Sequence, residues 1–343
     1  MKRKILITLV VIVVAIEVLK RISPLADIYA LYIYPKVAHV LHAISSLFPF
    51  SLYDMLIPVS IIILGIILWK CIKRAWKQAL FLLIATLLVA WTAFQLSWGI
   101  NYFRSDFYKR SGLENQQADS IHFMDFANRY IVNLNDSYPF SLKLDKEKIH
   151  RNAYAGFDSL SSYYQLASLP HFVRVKDMTS SNAYAKVGVL GYYGPFFSEV
   201  HVNNHLKPQQ YPFVVTHEIA HLAGVTSEAE ANFFAYEITR HSKDSLTRFS
   251  AYYSLLPHVL NNAQRIVSSD QYKDIVSRID TDIIALHVDT RDYWNALYSD
   301  KWGSIQDKLY DLYLKNNNIP AGKANYSEVI GMILAADKKD SIP

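Results

Sequence analysis

The stretch YPFVVTHEIAHLAGVTSEAEANFFAYE, residues 211–237, decides how the rest of this sequence is interpreted. It contains HEIAH at positions 217–221, followed by Glu228. Pro212 at the start of the stretch and Gly224 after HEIAH predict the two ends of a helix. Two imidazoles one helical turn apart, with carboxylates nearby, are typical of a zinc site. HEIAH is therefore the strongest chemical signal in the chain, although such a pattern also arises by chance on an ordinary buried helix.

His217 and His221 are the first two predicted metal ligands. They stand at i and i+4, so their rings leave the same face of the helix and can share one ion. Zinc accepts neutral imidazole nitrogens, and a catalytic site keeps one position open for water. Glu218 is offset around the helix from that face, so it can reach the water instead of the metal. We therefore predict one Zn²⁺ ion, with Glu218 as the general base.

Two carboxylates compete to be the third ligand. A longer motif, HExxHxxGxxH, fits as far as Gly224 but fails at Ser227, where it requires histidine. Glu228 and Glu230 remain, both at the start of the next helix. Ser227 and Glu230 match a capping box, which gives Glu230 a structural role. We therefore predict Glu228 as the ligand, with Glu230 as the alternative and Asn232 as a hydrogen-bonding support for a ligand.

The segment GYYGPFFSEVHVNN, residues 191–204, predicts strands and turns next to the metal helix. In zinc peptidases a strand beside this helix can pair with an extended substrate backbone. Candidate substrate-binding residues, with ordinary strand and turn positions as the alternative, are Glu199, His201, Asn203 and Asn204. Four further residues could donate a hydrogen bond to a developing oxyanion: His241, Tyr252, Tyr253 and His258. For each of them alone, a core or surface role is favoured.

The first hundred residues have the composition of a membrane region. The whole chain has 343 residues, of which 51% are apolar and only 19% charged. Apolar segments predict three transmembrane helices at about 5–22, 54–72 and 78–98. The first is short and follows basic residues, so a cleaved signal peptide is the alternative to an uncleaved anchor. Residues 25–50 are aromatic and amphipathic, which predicts helices at the bilayer surface.

Basic residues predict the orientation of this region. Most of the basic residues among the first hundred lie in the loop KCIKRAWK, residues 70–77, and at the N-terminus. This distribution favours the cytoplasmic side for both segments. The chain after residue 100 then lies outside the cytoplasm. The single cysteine, Cys71, excludes an intramolecular disulfide and a cysteine-rich metal site. A formal charge of +5 without a long basic run does not favour nucleic-acid binding.

We predict a mainly α, α+β fold in two parts. Residues 1–100 form the three-helix transmembrane region, and residues 101–343 form an extracytoplasmic zincin-like metallopeptidase domain with a small sheet and C-terminal helices. Helical periodicity is predicted over 123–134, 144–166, most of 231–314 and 327–336. Strands are predicted within 171–176, 183–194 and 198–204.

Several motifs resemble known families. HEIAH followed by SEAEANFFAY resembles the glutamate-type zinc peptidases, or gluzincins, whose second helix often reads E-x-x-A-[DN]-x-x-A; the matching positions are Glu228, Ala231, Asn232 and Ala235. More of the chain is similar to an uncharacterised bacterial membrane family, domain of unknown function 3810. The similar segments are IYPKVAHVLHAISSLFPFSLYD, LSWGINYFR, GYYGPFFSEVHVNN and YLKNNN…NYSEVIGMIL.

This resemblance covers nearly the whole chain. It implies a membrane-anchored zinc peptidase of Bacteroidota-type bacteria. Together with the predicted spans and the charge asymmetry, it leads us to expect a multi-pass protein of the inner (cytoplasmic) membrane, with a cytoplasmic N-terminus and a periplasmic catalytic domain. It implies no particular substrate.

Two classes of function follow from the sequence. The first is a zinc metalloendopeptidase that acts on a peptide or protein of the cell envelope, with the lipid bilayer as its other partner. The second is a non-catalytic envelope scaffold or assembly protein with a structural or vestigial metal site. An intramembrane protease fits the sequence less well than either class, because the apolar part of the HEIAH helix is too short to span a membrane.

Overall fold

The described part of the chain is mainly helical and contains one small sheet, as the sequence predicts. The computed structural model describes residues 2–115, 119–319 and 328–337. The N-terminal α-helices are α1 Lys2–Lys20, α2 Ser23–Ile28, α3 Tyr34–Ser46, α4 Leu56–Ile72 and α5 Trp76–Ser97. The helices after them are α6 Phe107–Ser111, α7 Ser120–Asp136, α8 Lys146–Ser161, α9 Ser181–Ala185, α10 Tyr211–Leu222, α11 Glu228–Arg240, α12 Ser245–Ile266, α13 Ser269–Ser277, α14 Thr281–Leu297, α15 Asp300–Asn316 and α16 Val329–Asp337. The strands are β1 Val175–Asp177, β2 Gly191–Gly194 and β3 Glu199–Val202.

The N-terminal bundle consists of α1, α4 and α5, and both α1 and α4 pack against α5. By length and apolar composition, α5 is the one described helix that could cross a membrane, and α4 is apolar but shorter. The 22 residues of α5 extend about 33 Å, enough for a hydrocarbon core of about 30 Å. The arrangement with three spans stays a prediction.

The segment predicted to lie at the bilayer surface is folded against the protein along one side. It contains α2, a π-helical turn at Tyr29–Ile33 and α3. Most of its buried residues recur every three or four positions and form one stripe: Ala26, Ala30, Tyr34, Ala38, His42 and Ser45. Tyr29 and Pro35 are also buried. The Tyr34 hydroxyl donates to the carbonyl of Leu222, at 3.0 Å. This segment therefore supports the C-terminal end of α10, and contact of its other face with lipid stays a prediction.

The sheet has the strand order β1-β3-β2, so β3 is central and β2 lies at an edge. β1 pairs in parallel with β3, and β2 pairs antiparallel with it. The strand predicted over 183–194 is shorter than expected, because α9 and a turn come before β2. Gly188 in that turn has φ of 75°, a left-handed conformation that ends α9 and redirects the chain.

The helix α10 is the central element of the fold. Every side chain of α10 except that of His217 is buried. It packs against β2 and β3 on one side and against α8, α11 and α12 on the others. Because α10 is surrounded, apolar residues are required around almost its whole circumference. The helix therefore holds HEIAH in a fixed position between the sheet and the helical core.

Two buried carboxylates attach the loop between α3 and α4 to the sheet. Glu199 of β3 accepts the backbone N–H of Tyr53, at 2.8 Å, and pairs with Lys176 of β1. Asp54 accepts the hydroxyl of Tyr192 of β2, at 2.5 Å. Removing one partner of a buried ion pair typically costs about 3–5 kcal/mol. These contacts therefore fix the loop between α3 and α4 against the sheet that borders α10.

Candidate metal centre

His217, His221 and Glu228 converge at one end of a cavity. The Nε2 atom of His217 lies 3.1 Å from Glu228 Oε2. The Nε2 atom of His221 lies 3.7 Å from the same oxygen. One ligand atom from each of the three residues lies within 4.8 Å of the other two. This cluster could hold a metal ion.

A second hydrogen bond orients each imidazole. Nδ1 of His217 lies 2.8 Å from Asn232 Oδ1, and Nδ1 of His221 lies 2.7 Å from the Val225 carbonyl. Both partners are acceptors, so each Nδ1 carries a proton and donates it. In the neutral rings both Nε2 lone pairs then point toward Glu228 Oε2, an arrangement that a cation between them stabilises. The donor set fits zinc, which binds neutral imidazole and carboxylate.

The turn after α10 supplies the acceptor for His221. Gly224 has φ of 87°, in the left-handed region. Its N–H donates to the His221 carbonyl at 2.9 Å, and the Val225 N–H donates to the Ala220 carbonyl at 3.1 Å. This pair of bonds is a Schellman motif. The motif turns the chain so that the Val225 carbonyl faces His221.

Glu228 and Glu230 have different partners. Glu228 places Oε2 beside the two imidazoles, and its Oε1 accepts the hydroxyl of Tyr310 from α15. Glu230 forms a buried ion pair with Arg110. Ser227 accepts the Glu230 N–H at 3.4 Å, which agrees with a cap at this position. The side chain of Glu230 therefore pairs with Arg110, a role that the sequence does not predict, and Glu228 is the carboxylate next to both histidines.

Glu218 lies beside the cluster under the edge strand β2. Its side chain is buried, and Oε2 has no hydrogen-bond partner among the described residues. A Cβ atom on Gly191 of β2 would lie 2.5 Å from Glu218 Oε1. Glycine at this position therefore leaves the room that the Glu218 carboxylate occupies.

Burial and mutual attraction shift the pKa values of these groups in opposite directions. Burial raises the pKa of Glu218 to about 7, against the opposing effect of the two histidines. Burial lowers the pKa of His221, but the Glu228 carboxylate outweighs it and the pKa rises to about 9. Burial also works to raise the pKa of Glu228, yet the two imidazoles hold it well below its ordinary value. Without a metal ion, an ion pair between His221 and Glu228 stabilises the cluster.

The cavity next to the cluster has a volume of about 1020 Å³. Its walls come from several elements: Gly191, Tyr192 and Tyr193 of β2, Phe94 of α5, Trp98, Tyr253 and His258 of α12, and Tyr310 and Tyr313 of α15. A largely aromatic cavity with a few convergent polar groups is the usual form of a ligand site. The cavity thus extends from the possible metal ligands to the end of the helix that could cross a membrane.

The segment predicted to line the site does so only in part: Gly191, Tyr192 and Tyr193 of β2 line the cavity, and the predicted substrate-binding residues do not. Glu199, His201 and Asn203 are buried in or directly after the central strand β3, and none of them lines the cavity. Glu199 pairs with Lys176, and His201 stacks on Tyr192 at 4.3 Å between ring centres. The assignment of these three residues to the rim is corrected, because they are buried in or directly after the central strand, whereas the edge strand β2 lines the cavity.

The other candidate donors separate into two groups. Tyr253 and His258 line the cavity. Tyr252 packs in the core, and His241 lies at the end of α11 away from the cavity lining. The sequence gives no indication of Tyr310, which is far from HEIAH along the chain and belongs to no motif. Its contact with Glu228 depends on the packing of α15 over the cavity.

Comparison with known proteins gives one family. The model of the family described as "Protein of unknown function (DUF3810)" matches residues 29–334. No curated protein and no solved structure matches the chain.

Proposed function

The chain belongs to the DUF3810 family, whose function is unknown, and we propose from its site that it is a membrane-anchored zinc metallopeptidase. The observation that carries this proposal is the convergence of His217, His221 and Glu228 beside Glu218, whose buried Oε2 has no hydrogen-bond partner in the described part of the chain. The first three residues would hold one Zn²⁺ ion. Their second hydrogen bonds, to Asn232, Val225 and Tyr310, support such a role, because ligands of catalytic zinc are normally oriented in this way.

The proposed reaction is the hydrolysis of a peptide bond. A bound zinc ion would lower the pKa of water and polarise the substrate carbonyl. Glu218 accepts the proton of the attacking water on Oε2 and transfers it to the nitrogen of the departing amine. Burial keeps this carboxylate away from competing hydrogen bonds, and Gly191 leaves space for it.

The edge strand β2 is the proposed place for the substrate backbone. It is bonded to β3 on one side, and Gly191 to Tyr193 line the cavity. An extended peptide can add to a free strand edge through backbone hydrogen bonds. This mode places the peptide along the wall that also contains Glu218. It replaces the rim first predicted on β3.

The proposed location is the extracytoplasmic side of a membrane, with α1, α4 and α5 as the anchor. α5 is long enough to span, and both other helices pack against it. The basic loop between α4 and α5 lies at the end of α5 remote from the metal ligands, and Trp98, which follows α5, packs against His221. Charge asymmetry then favours the basic loop inside and the ligands outside.

The proposal is tested on the purified full-length protein in detergent or vesicles. Zinc is measured by mass spectrometry, and cleavage is screened on a library of envelope-derived peptides. We expect one zinc ion per chain in the wild type and in Glu218→Gln, with cleavage in the wild type alone, because Gln cannot accept the proton. His217→Ala should lose both zinc and cleavage.

The outcomes separate the two classes of function. Wild-type cleavage by Glu218→Gln would contradict the mechanism. Zinc at full occupancy without cleavage of any peptide would favour the non-catalytic scaffold with a structural metal. Absence of zinc from the wild type would contradict the metallopeptidase and would favour a scaffold with a vestigial metal site.

A further inference from the structure

The helix α15 has an exposed apolar stripe that no described element covers. Trp302, Ile305, Leu309 and Leu312 are separated by three, four and three residues, so they share one face of the helix. All four are exposed, Trp302 by 56% and Leu309 by 59%. Large apolar side chains aligned on one face of a polar helix indicate a binding surface, unlike the scattered apolar residues of an ordinary protein exterior.

The stripe adjoins the end of the helix that could cross a membrane. Tyr313, next to Leu312, packs edge-on against Phe94 in the last turns of α5, with 6.3 Å between ring centres. Its hydroxyl lies 3.0 Å from that of Tyr102. A helix that touches the outer end of a membrane span lies at the depth of the lipid headgroups. The apolar stripe therefore lies on a helix that contacts the end of the proposed span.

Three lysines flank the stripe. Lys301, Lys308 and Lys315 are seven residues apart, about two helical turns, and form one row beside Ile305 and Leu312. All three are exposed, and Lys315 pairs with Asp311 on its other side. Lysines next to an apolar face extend their amines toward anionic headgroups while their methylene groups cover apolar surface. An apolar face bordered by a row of basic residues is typical of helices that lie in a bilayer interface.

We propose that α15 lies on the outer surface of the lipid bilayer, with Trp302, Ile305, Leu309 and Leu312 inserted below the headgroups. The neighbouring side of α15 forms part of the cavity wall through Tyr310 and Tyr313. The cavity is thereby held against the membrane, and the polypeptide that enters it is one presented at the bilayer surface, such as a segment next to a membrane anchor. This inference rests on the proposed membrane anchoring and is independent of the proposed hydrolysis.

Spin labels on the full chain in phospholipid vesicles with anionic lipid test the contact. Cys71→Ser removes the native thiol, and single cysteines are then introduced at Leu309→Cys, Ser304→Cys and Leu87→Cys. Leu309 lies on the stripe, Ser304 is an exposed residue on another side of α15, and Leu87 is exposed in the middle of α5. Accessibility of each label to oxygen, which dissolves in lipid, is compared with accessibility to a water-soluble nickel chelate.

We expect the labels at 87 and 309 to favour oxygen and the label at 304 to favour the nickel chelate. A water-exposed label at 309 together with a lipid-exposed label at 87 overturns the inference and leaves the anchoring intact. A water-exposed label at 87 overturns the anchoring itself. Strong dipolar broadening between labels at 309 would identify a second copy of the chain as the occupant of the stripe, and it would also overturn the inference.

Discussion

Single atoms decide the geometry around Glu218. Its carboxylate lies in space that exists because residue 191 has no side chain. The proposed general base and the strand proposed to bind substrate thus fit against each other at one position. A methyl group there meets the mobile end of Glu218, so the carboxylate must move while the fold is kept.

This contact predicts the effect of Gly191→Ala. We expect loss of cleavage on the order of 100-fold, the usual effect of displacing a catalytic group by about 1 Å, with zinc content unchanged. Peptide turnover and zinc stoichiometry are the measurements. Gly65→Ala is the matched control, because nothing lies within 4 Å of a Cβ atom at that position. Equal activity of the two variants would contradict the role given to Gly191.

The hydroxyl of Tyr310 leads to a second prediction at this scale. It donates to Glu228 Oε1 and so holds Oε2 toward the histidines. Tyr310→Phe should weaken zinc binding by about 10–100-fold, the range typical for loss of a partner that orients a ligand. Competition with a zinc chelator measures the affinity.

Tyr313→Phe provides the comparison for Tyr310→Phe. It removes a hydroxyl from the same helix, but that hydroxyl contacts Tyr102 and no ligand. We expect its zinc affinity to equal that of the wild type. If both variants bind zinc like the wild type, Tyr310 does not orient Glu228.

At the scale of elements, the end of α10 links backbone conformation to the position of a ligand. Gly224 adopts a left-handed conformation, and the Schellman motif built on it brings the Val225 carbonyl to His221. The sequence predicts that Gly224 ends the helix. That the same turn orients a histidine follows only from the observed hydrogen bond.

Gly224→Ala should therefore have two effects. The left-handed conformation costs a non-glycine residue about 1–2 kcal/mol, so the thermal midpoint should fall. Zinc affinity should fall as well, because the strained turn relaxes away from His221. Gly112→Ala is the control, since Gly112 has φ of 64° at the end of α6, away from the ligands. It should lower the midpoint and leave zinc affinity unchanged; a similar loss of affinity in both variants would refute the link.

At the scale of the whole molecule, the bundle and the remaining fold share contacts that fix their relative position. Asp54 and Glu199 attach the loop before α4 to the sheet, and Tyr34 supports the end of α10. The cavity takes its walls from both parts. The predicted boundary at residue 100 thus separates an apolar segment from a more polar one. The cavity of the candidate site is nevertheless lined by residues from both sides of this boundary.

The proposed orientation predicts the reactivity of the single cysteine. Cys71 lies near the basic loop between α4 and α5, so a membrane-impermeant maleimide should label it in spheroplasts only after permeabilisation. Ser304→Cys in a Cys71→Ser background should be labelled without permeabilisation, because α15 is proposed to lie outside. Labelling is read as a mass shift on gels. Reversed labelling of the two positions would invert the proposed topology.

The sequence by itself determines the helical character, the two ends of α10 and the three residues that cluster beside the cavity, His217, His221 and Glu228. These features depend on local periodicity, on proline and glycine at helix ends, and on the spacing of HEIAH. Helix geometry alone brings His217 and His221 to one face, and the short turn to α11 brings Glu228 near them. The family was also recognisable, because its matching segments run along most of the chain.

Only the tertiary structure decides the order of strands, the partner of Glu230 and the walls of the cavity. Strand order depends on pairing between distant segments. The sequence therefore places the substrate-binding residues on β3, although β3 is the buried central strand of the sheet. Arg110 and Tyr310 reach Glu230 and Glu228 from positions with no local pattern. Periodicity reports which face of an element is buried, but it carries no information about which distant residue covers that face. For this reason the cluster of His217, His221 and Glu228 is predictable from the sequence, and the residues that orient its side chains are not.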